Sequence, residues 1–466
     1  MQNPLLKYAQ HSPKFNGLHD VLNEVFADPQ VRLALQHDLV PVGSQAAWNG
    51  CPAMPAVVTG SLAVVRRLMG WSYRTLAEEV DLSVGWRWVC QLYAHPMPNF
   101  RTIRDREALV SPKTVQLIHM KVVYLGQAVG ITTGYRLRLD SSAIEMNIHY
   151  PTDSSLLSDA ARVLSRWLGV ARQVVTPKSR QAKAWFRRRH RQARRLARAI
   201  ARQSKSKAKN AGKTSLKWYA QLLHLLEQLV AQVKEVQQQL TVFKQAAAQH
   251  IGEMFDQYIP LVQQVITQTR RRVLEGKSVP AAEKVVSLFE PQTDIIVRGK
   301  AAPKETEFGH KIWYAEVDGG LITEYRLLTG NPPDALQVIP SLRQHRRLFK
   351  RAPREVSGDR GLYSPENETA ARRLGVRQVS LPKPGYKSKP RQRREHQKWF
   401  RAAQRFRNGI EGRISQLRRA RGLNRCLNHG QAGLERWVGW GIIANNIAVI
   451  VMKLNQWRVP LVDALC

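Results

Sequence analysis

The sequence predicts an α/β fold: a mixed sheet flanked by helices, with an N-terminal helical domain and a large helical, coiled-coil-like insertion. Three observations carry this. Apolar residues alternate with polar ones at 135–140 and again from about 305 to 382, and helical stretches separate the later strands, the strand–helix–strand order of an α/β sheet. Residues 60–95 are punctuated as short helices. The long stretch between the two strand regions is basic and helical in pattern.

The chain has 466 residues, 43% of them hydrophobic, enough for real cores and, by length, about three domains. Its 73 Lys and Arg against 35 Asp and Glu leave a formal charge of +38. Such an excess opposes compaction unless a polyanion neutralises it, which makes nucleic acid the default partner. A membrane surface is the other reading, but the longest apolar run, VGWGIIANNIAVIVM at 438–452, is under 18 residues and carries Asn445 and Asn446. It reads as a buried helix. The start, MQNPLLKYAQHSPKF, lacks the basic head and apolar block of a signal peptide, so a cytoplasmic location is expected. Cys51, Cys90, Cys426 and Cys466 form no C-x-x-C pair and are expected to be reduced and structural.

Along the chain, an apolar stretch through Leu68, a stop at Gly70, a cap at Ser72 and another start near Ser83 give a compact module of helix-turn-helix type. Three short helices are equally common in any α domain; Arg66, Arg67, Arg74 and Arg87 favour DNA. YRLRLD at 135–140 is a strand whose carboxyl end would be Asp140. From Arg162 to Leu226 there are 19 Lys or Arg and no acid, with WFRRRHRQARRLARAIARQ helix-compatible and KSKAKNAGKTS a flexible break. The cluster at Arg187, Arg188, Arg189, Arg194 and Arg195 is too dense for pairing within the chain and suits backbone phosphates. Leu222, Leu226, Leu229, Val233, Val236, Leu240 and Phe243 form a heptad seam, used either within its own domain or in an arm or dimer contact. That helix is expected to run towards Pro260 and to kink or end there.

From about 305, FGHKIWYAEVDG and LITEYRLLTG are two strands turning at Asp318, Gly319 and Gly320. A helix at DALQVIPSLRQHRRLF, a short strand PREVSGD, a helix after Ser364 and a strand VRQVSLP follow. KPGYKSKPRQRREHQKWFRAAQRFR then leads into RNGIEGRISQLRR, where Glu411 sits on a basic helix between Gly409 and Gly412, residues that permit close approach of a backbone or phosphate.

Catalysis by two Mg²⁺ ions needs carboxylates converging from separate elements. In an open α/β sheet, acids at strand carboxyl ends face one crevice, which nominates Asp140 and Asp359, with Glu411 to complete the set. Glu145 and Asp153 compete near Asp140, and Asp153 is the better supporting candidate. His149 reads as structural.

These stretches resemble bacterial insertion-sequence transposases of the Asp-Asp-Glu type. The likeness spans most of the chain. It rests on LRLDSSAIEMNIHYPTDSSLL, FGHKIWYAEVDG, VSGDRGLYSPENE and FRNGIEGRISQLRR, and TLAEEVDLSVGWRWVCQL with HPMPNFRTIRDRE is similar to the small helical domain before the core. The family's Tyr, Arg, Glu, Lys signature falls here on Gln404, Arg407, Glu411 and Arg418, with Gln404 in place of the tyrosine. Those offsets return to nearly one helix face. Arg407, Arg413 and Arg418 would then flank phosphate.

The resemblance implies a ribonuclease-H-like core with Asp140, Asp359 and Glu411 as catalytic metal ligands for two Mg²⁺ ions, Mn²⁺ substituting. It implies a transposase that binds terminal inverted repeats, frees a 3′-hydroxyl and joins it to target DNA, as a homodimer on DNA in the bacterial nucleoid. The alternatives are a non-catalytic DNA-binding derivative and a nuclease of the same fold. The expected domains are 1–130, helical and DNA-binding; 131–159 with 301–456, the core; 160–300, the basic hairpin insertion; and 457–466, a tail. The insertion accounts for the 218 residues between Asp140 and Asp359, against 51 between Asp359 and Glu411.

Overall fold

Gly70, Ser72 and Ser83 punctuate the amino-terminal helices as their chemistry dictates. In the computed structural model, which describes residues 13–40, 54–93, 95–175, 189–204, 211–243, 245–297, 306–457 and 459–465, the first helices are α1 (Pro13–Ala27) and α2 (Pro29–Leu39). Helix α3 (Ala56–Met69) closes on Gly70 at φ 69°, a conformation that costs glycine nothing. Ser72 then accepts from Thr75 N at 3.0 Å to start α4 (Tyr73–Leu82), and Ser83 accepts from Trp86 N at 3.3 Å to start α5 (Val84–Val89). Asn99 and Ser111 cap α6 (Phe100–Leu109) and α7 (Pro112–Ala128).

Strand β1 (Arg136–Met146) precedes, among the described residues, the α-helices α8 (Asp153–Val174), α9 (His190–Gln203), α10 (Ala211–Leu240) and α11 (Ala246–Thr269). With the short strand β2 (Asp294–Val297) they lie in a compact unit spanning Ile148–Phe308. Leu222, Leu226, Leu229, Val233, Val236 and Leu240 are buried in that unit's own core against Leu157, Leu164, Phe255 and Val262, so the heptad seam packs internally. Two expectations change here. Helix α10 already includes 211–215, which the polar composition had suggested as a flexible break. It ends at Leu240, and Pro260 lies inside α11, which runs on to Thr269 without stopping. The unit also begins before residue 160, since Asp153–Val174 is its first helix.

The other unit comprises Met1–Asn147 and Gly309–Cys466. Strands β3 (Thr306–Val317) and β4 (Ile322–Leu328) form the hairpin, turning through Gly319 and Gly320 at φ 81° and 89°. Next come α12 (Val338–Phe349), β5 (Glu355–Ser357), α13 (Pro365–Arg373) capped by Ser364, and β6 (Gln378–Ser380). Helices α14 (Lys389–Glu395) and α15 (Lys398–Ala420), strand β7 (Arg425–Cys426), and helices α16 (Gly430–Trp457) and α17 (Leu461–Leu465) complete the chain. The mixed sheet has seven strands in the order β2-β3-β1-β5-β6, with β4 on β3 and β7 on β1.

Asp140 does not end its strand. Strand β1 continues six residues further because Ser141–Glu145 stay paired with β3, Asp140 opposite Tyr314 and Glu145 opposite Gly309. The amino-terminal helices share one core with this sheet: Leu22, Leu62 and Ile118 join Leu137, Trp313, Val356, Trp440 and Ile450. Among the described residues α16 alone is long and apolar enough to cross a membrane, and 78% of its apolar window is buried inside its own unit. Asn446 has a clear role there. Asn446 accepts from Ile322 N at 3.0 Å and donates to Ile322 O at 2.8 Å, completing the edge of β4.

Candidate functional site

The site is built where β1, β5 and α15 meet. Strands β1 and β5 run parallel with Arg138 opposite Ser357. Asp140 lies two residues past this ladder on β1 and Asp359 two residues past the end of β5, near enough for the Asp359 charge to act on Asp140. Asp359 is extended at φ −78° and ψ −177°, so the chain has not yet turned away. Its Oδ1 is buried and has no hydrogen-bond partner among the described residues. A third acid comes from across the site: Ser141 donates its backbone N–H to Asp140 Oδ1 at 2.7 Å and its hydroxyl to Asp334 Oδ2 at 3.0 Å. Asp334 also pairs with Lys311 at 2.8 Å.

Burial pushes the Asp140 carboxyl up to about 6, and the charges of Asp359 and Asp334 push the same way, while Arg407 and the Ser141 N–H oppose them. Burial is the main cause, since the Arg407 charge outweighs that of either neighbouring acid and Lys311 already pairs with Asp334. Arg407 engages two acids. Its Nη2 donates to Asp140 Oδ2 at 3.2 Å and its Nη1 to Glu411 Oε1 at 2.6 Å, so one guanidinium links the strand acid to the helix acid. The Glu411 side chain is 63% exposed. Among the described residues no three His, Cys, Asp or Glu side chains are gathered closely enough to ligate a metal as they stand. The donor set nevertheless suits a hard cation: an orphaned carboxylate oxygen on Asp359 beside a buried, desolvated Asp140.

Helix α15 is fixed over these strands by its own side chains. Gln404, at the position where an aromatic ring was expected from the resemblance, donates to Ser380 O at 2.9 Å and Gly358 O at 3.3 Å, tying the helix to the ends of β6 and β5. Arg138 passes beneath the helix, giving its Nη1 to Phe406 O at 2.6 Å and a bidentate pair to buried Glu316 at 2.7 and 3.0 Å. A cleft of about 650 Å³ opens beside Asp359, lined by Arg360, Lys387, Arg401, Gln404, Arg405 and Arg407.

Several residues expected to face phosphate have partners within the chain. Arg413 joins Arg138 on Glu316 at 3.2 Å and also donates to Gln416, a structural assignment that its position among other arginines hid. Arg418 donates to Asn424 Oδ1 at 3.0 Å. Arg87 pairs with Asp81 at 2.7 Å and donates to the carbonyls of Tyr93 and His95, holding the turn after α5. Arg74 lies over the Phe100 ring at 5.0 Å. Arg66 is buried in a bidentate pair with Glu107. Gly409 admits Arg138, not phosphate: a Cβ there would meet Arg138 Nη1 at 2.3 Å, while Gly412 has nothing within 4 Å.

Asp153 stands in the other unit, at the start of α8, where Arg272 takes its carboxylate at 3.1 Å. His149 Nε2 lies 3.5 Å from Asp159 there. The basic helix α9 belongs to the same unit. Ala193, Ala197 and Ile200 are buried, while Arg191, Arg194, Arg195, Arg198 and Arg202 are exposed and line a shallow groove of about 500 Å³. Arg189 donates to Gln228 at 2.5 Å. Arg187, Arg188, Cys51 and Cys466 lie outside the described residues, and Cys90 and Cys426 are buried, in no disulfide among the described residues.

Sequence reasoning missed Asp334 and Glu316. The first follows two prolines and resembles any helix-start acid; the second lies on a strand among apolar neighbours. Both act on residues far away in the chain, so no local spacing announces them. Comparison of the chain with family models, curated proteins and solved structures finds no match in any of the three.

Proposed function

We propose that this chain is a DNA transposase of the bacterial insertion-sequence kind, its sheet unit being a ribonuclease-H-like core with Asp140, Asp359 and Glu411 at the active site. The observation that supports it best is the pairing of a buried, desolvated Asp140 with an orphaned Asp359 oxygen, both beneath a helix that delivers Glu411 and Arg407. Asp140 and Asp359 are the residues that would hold Mg²⁺, with Glu411 joining once Arg407 swings onto a phosphate. Bound there, the ions supply a lowered pKa for an attacking water, alignment of a 3′-hydroxyl and stabilisation of the leaving oxygen. The chain's own part is positional. Gln404 and Arg138 hold α15 in register with β1 and β5, and Arg407 exchanges carboxylate for phosphate, which its planar fork matches equally well. The exposed arginines of α9 hold DNA through its backbone without reading sequence.

Asp359→Asn tests this. Cleavage at the element's ends should be lost while end binding survives, and Mg²⁺ should raise the melting temperature of the wild type at pH 8 but not that of the variant. Normal cutting by the variant in magnesium sinks the assignment. The ion pairs that Arg407 makes with both acids favour one other reading, a DNA-binding protein without catalysis. End binding with no cleavage by the wild type at any Mg²⁺ or Mn²⁺ concentration would select it.

A further inference from the structure

A second cavity in the sheet unit, of about 830 Å³, is walled by the end of α3, by α6, and by the segment from the end of α15 to the start of α16. Three guanidinium Nε atoms on its lining residues are buried and have no acceptor among the described residues: those of Arg67, Arg421 and Arg436. Arg67 is 3% exposed and has no carboxylate of its own, because both oxygens of Glu107 are taken by Arg66. It gives Nη2 to Trp437 O at 2.6 Å and lies 3.9 Å from the centre of that indole. Burial, and next the neighbouring Arg66 charge, pull its pKa down to about 9. Arg421 gives Nη1 to Leu68 O at 2.8 Å and likewise has no acid partner among the described residues. Of the described residues in the wall Asp105 is the one acid, and Arg104 holds it at 2.8 Å.

Buried donors without acceptors and buried cations without acids are costly, and an anion answers both. Guanidinium forks select phosphate, and half-buried Trp71 in the same wall offers a planar face for an aromatic base. We propose that this cavity binds a nucleoside phosphate, its phosphate on Arg67, Arg421 and Arg436 and its base against Trp71. This goes beyond the acidic site and does not depend on it. Two sources share that chemistry, a free mononucleotide and an unpaired nucleotide of a DNA strand.

The test titrates the full chain with deoxyadenosine 5′-monophosphate, followed by tryptophan fluorescence. Saturable quenching is expected, with deoxyadenosine and inorganic phosphate each at least tenfold weaker. Arg436→Gln and Trp71→Leu should each weaken mononucleotide binding about tenfold, whereas Arg32→Gln, at an exposed position of α2, should leave it unchanged. A 5′-phosphorylated trinucleotide then distinguishes the sources: displacement of the mononucleotide at tenfold lower concentration identifies a strand, and displacement only at equal or higher concentration a free nucleotide. Absence of saturation, inorganic phosphate binding as well as the nucleotide, or wild-type binding by both cavity variants overturns the proposal. Melting temperatures of Arg436→Gln and Trp71→Leu near that of the wild type keep a folding failure from passing as lost binding.

Discussion

On α9, Arg191, Arg194, Arg195, Arg198 and Arg202 project into solvent with only alanines and one isoleucine of the helix buried beneath them. In the sheet unit, Arg138 and Arg413 share Glu316, which is fully buried, and Arg66 closes on Glu107. The same residue type does opposite work in the two regions. Exposed and crowded, it repels its neighbours; buried and paired, it fastens helix to strand. Composition adds both sets into a single positive total. The excess of +38 divides into +21 for the sheet unit (44 Lys and Arg against 23 Asp and Glu) and +17 for the shorter helical unit (29 against 12), so it is denser around α9 but not confined there, and pairing rather than composition separates the two regions.

The comparison breaks first at Glu316. Glu316→Ala leaves two arginines without their shared acceptor, and the cost should be about 3–5 kcal/mol by chemical denaturation. A loss under about 1 kcal/mol would mean that the buried arginines hold nothing together.

Asp140 comes next. Its folded pKa of about 6 lies above the unfolded value of 3.8, so folding favours the protonated form. The associated stability is complete below about pH 4 and is lost as pH rises to about 6, a difference of roughly 3 kcal/mol at neutrality. Asp140→Asn escapes that loss. His119 and His345, both pulled down to about 4 chiefly by burial, act in the opposite sense over nearly the same range, so the readout is wild type minus variant, measured at pH 4.5 and pH 8. The variant should gain on the wild type as pH rises; a constant difference would remove the desolvation penalty from Asp140.

The smallest effect on stability belongs to α9. Arg194→Gln with Arg198→Gln should change it by less than about 0.5 kcal/mol, with any gain coming from relieved repulsion along the helix. DNA binding should register the change instead. The slope of log affinity against log salt should become shallower by about 0.9 for each phosphate that the protein no longer neutralises. An unchanged slope would show that this face carries no DNA.

Most elements of the sheet unit were legible because glycine, serine and alternating apolar residues act locally: Gly70, Ser72, Ser364 and the Asp318-Gly319-Gly320 turn all stand where their chemistry requires. The length of β1 was not, because Ser141, Ser142 and Ala143 are too small and too polar to display a strand's alternation, and its pairing with β3 joins residues more than 160 positions apart. For the same reason the candidate site was legible in Asp140, Asp359, Glu411 and Arg407 but not in Asp334 or in the partners of the other arginines. Asp140, Asp359 and Glu411 stood out against a basic sequence, whereas the tie between Arg413 and Glu316, 97 residues away, exists only after folding.

Gly409 sets the fit of the whole arrangement. Arg138 reaches Phe406 O through the space that a side chain at 409 would fill. Glu411 lies two residues further along the same helix. A methyl group at 409 would stand 2.3 Å from Arg138 Nη1, so either that guanidinium leaves Phe406 O or α15 gives way and carries Glu411 with it, and in neither case does any charge change.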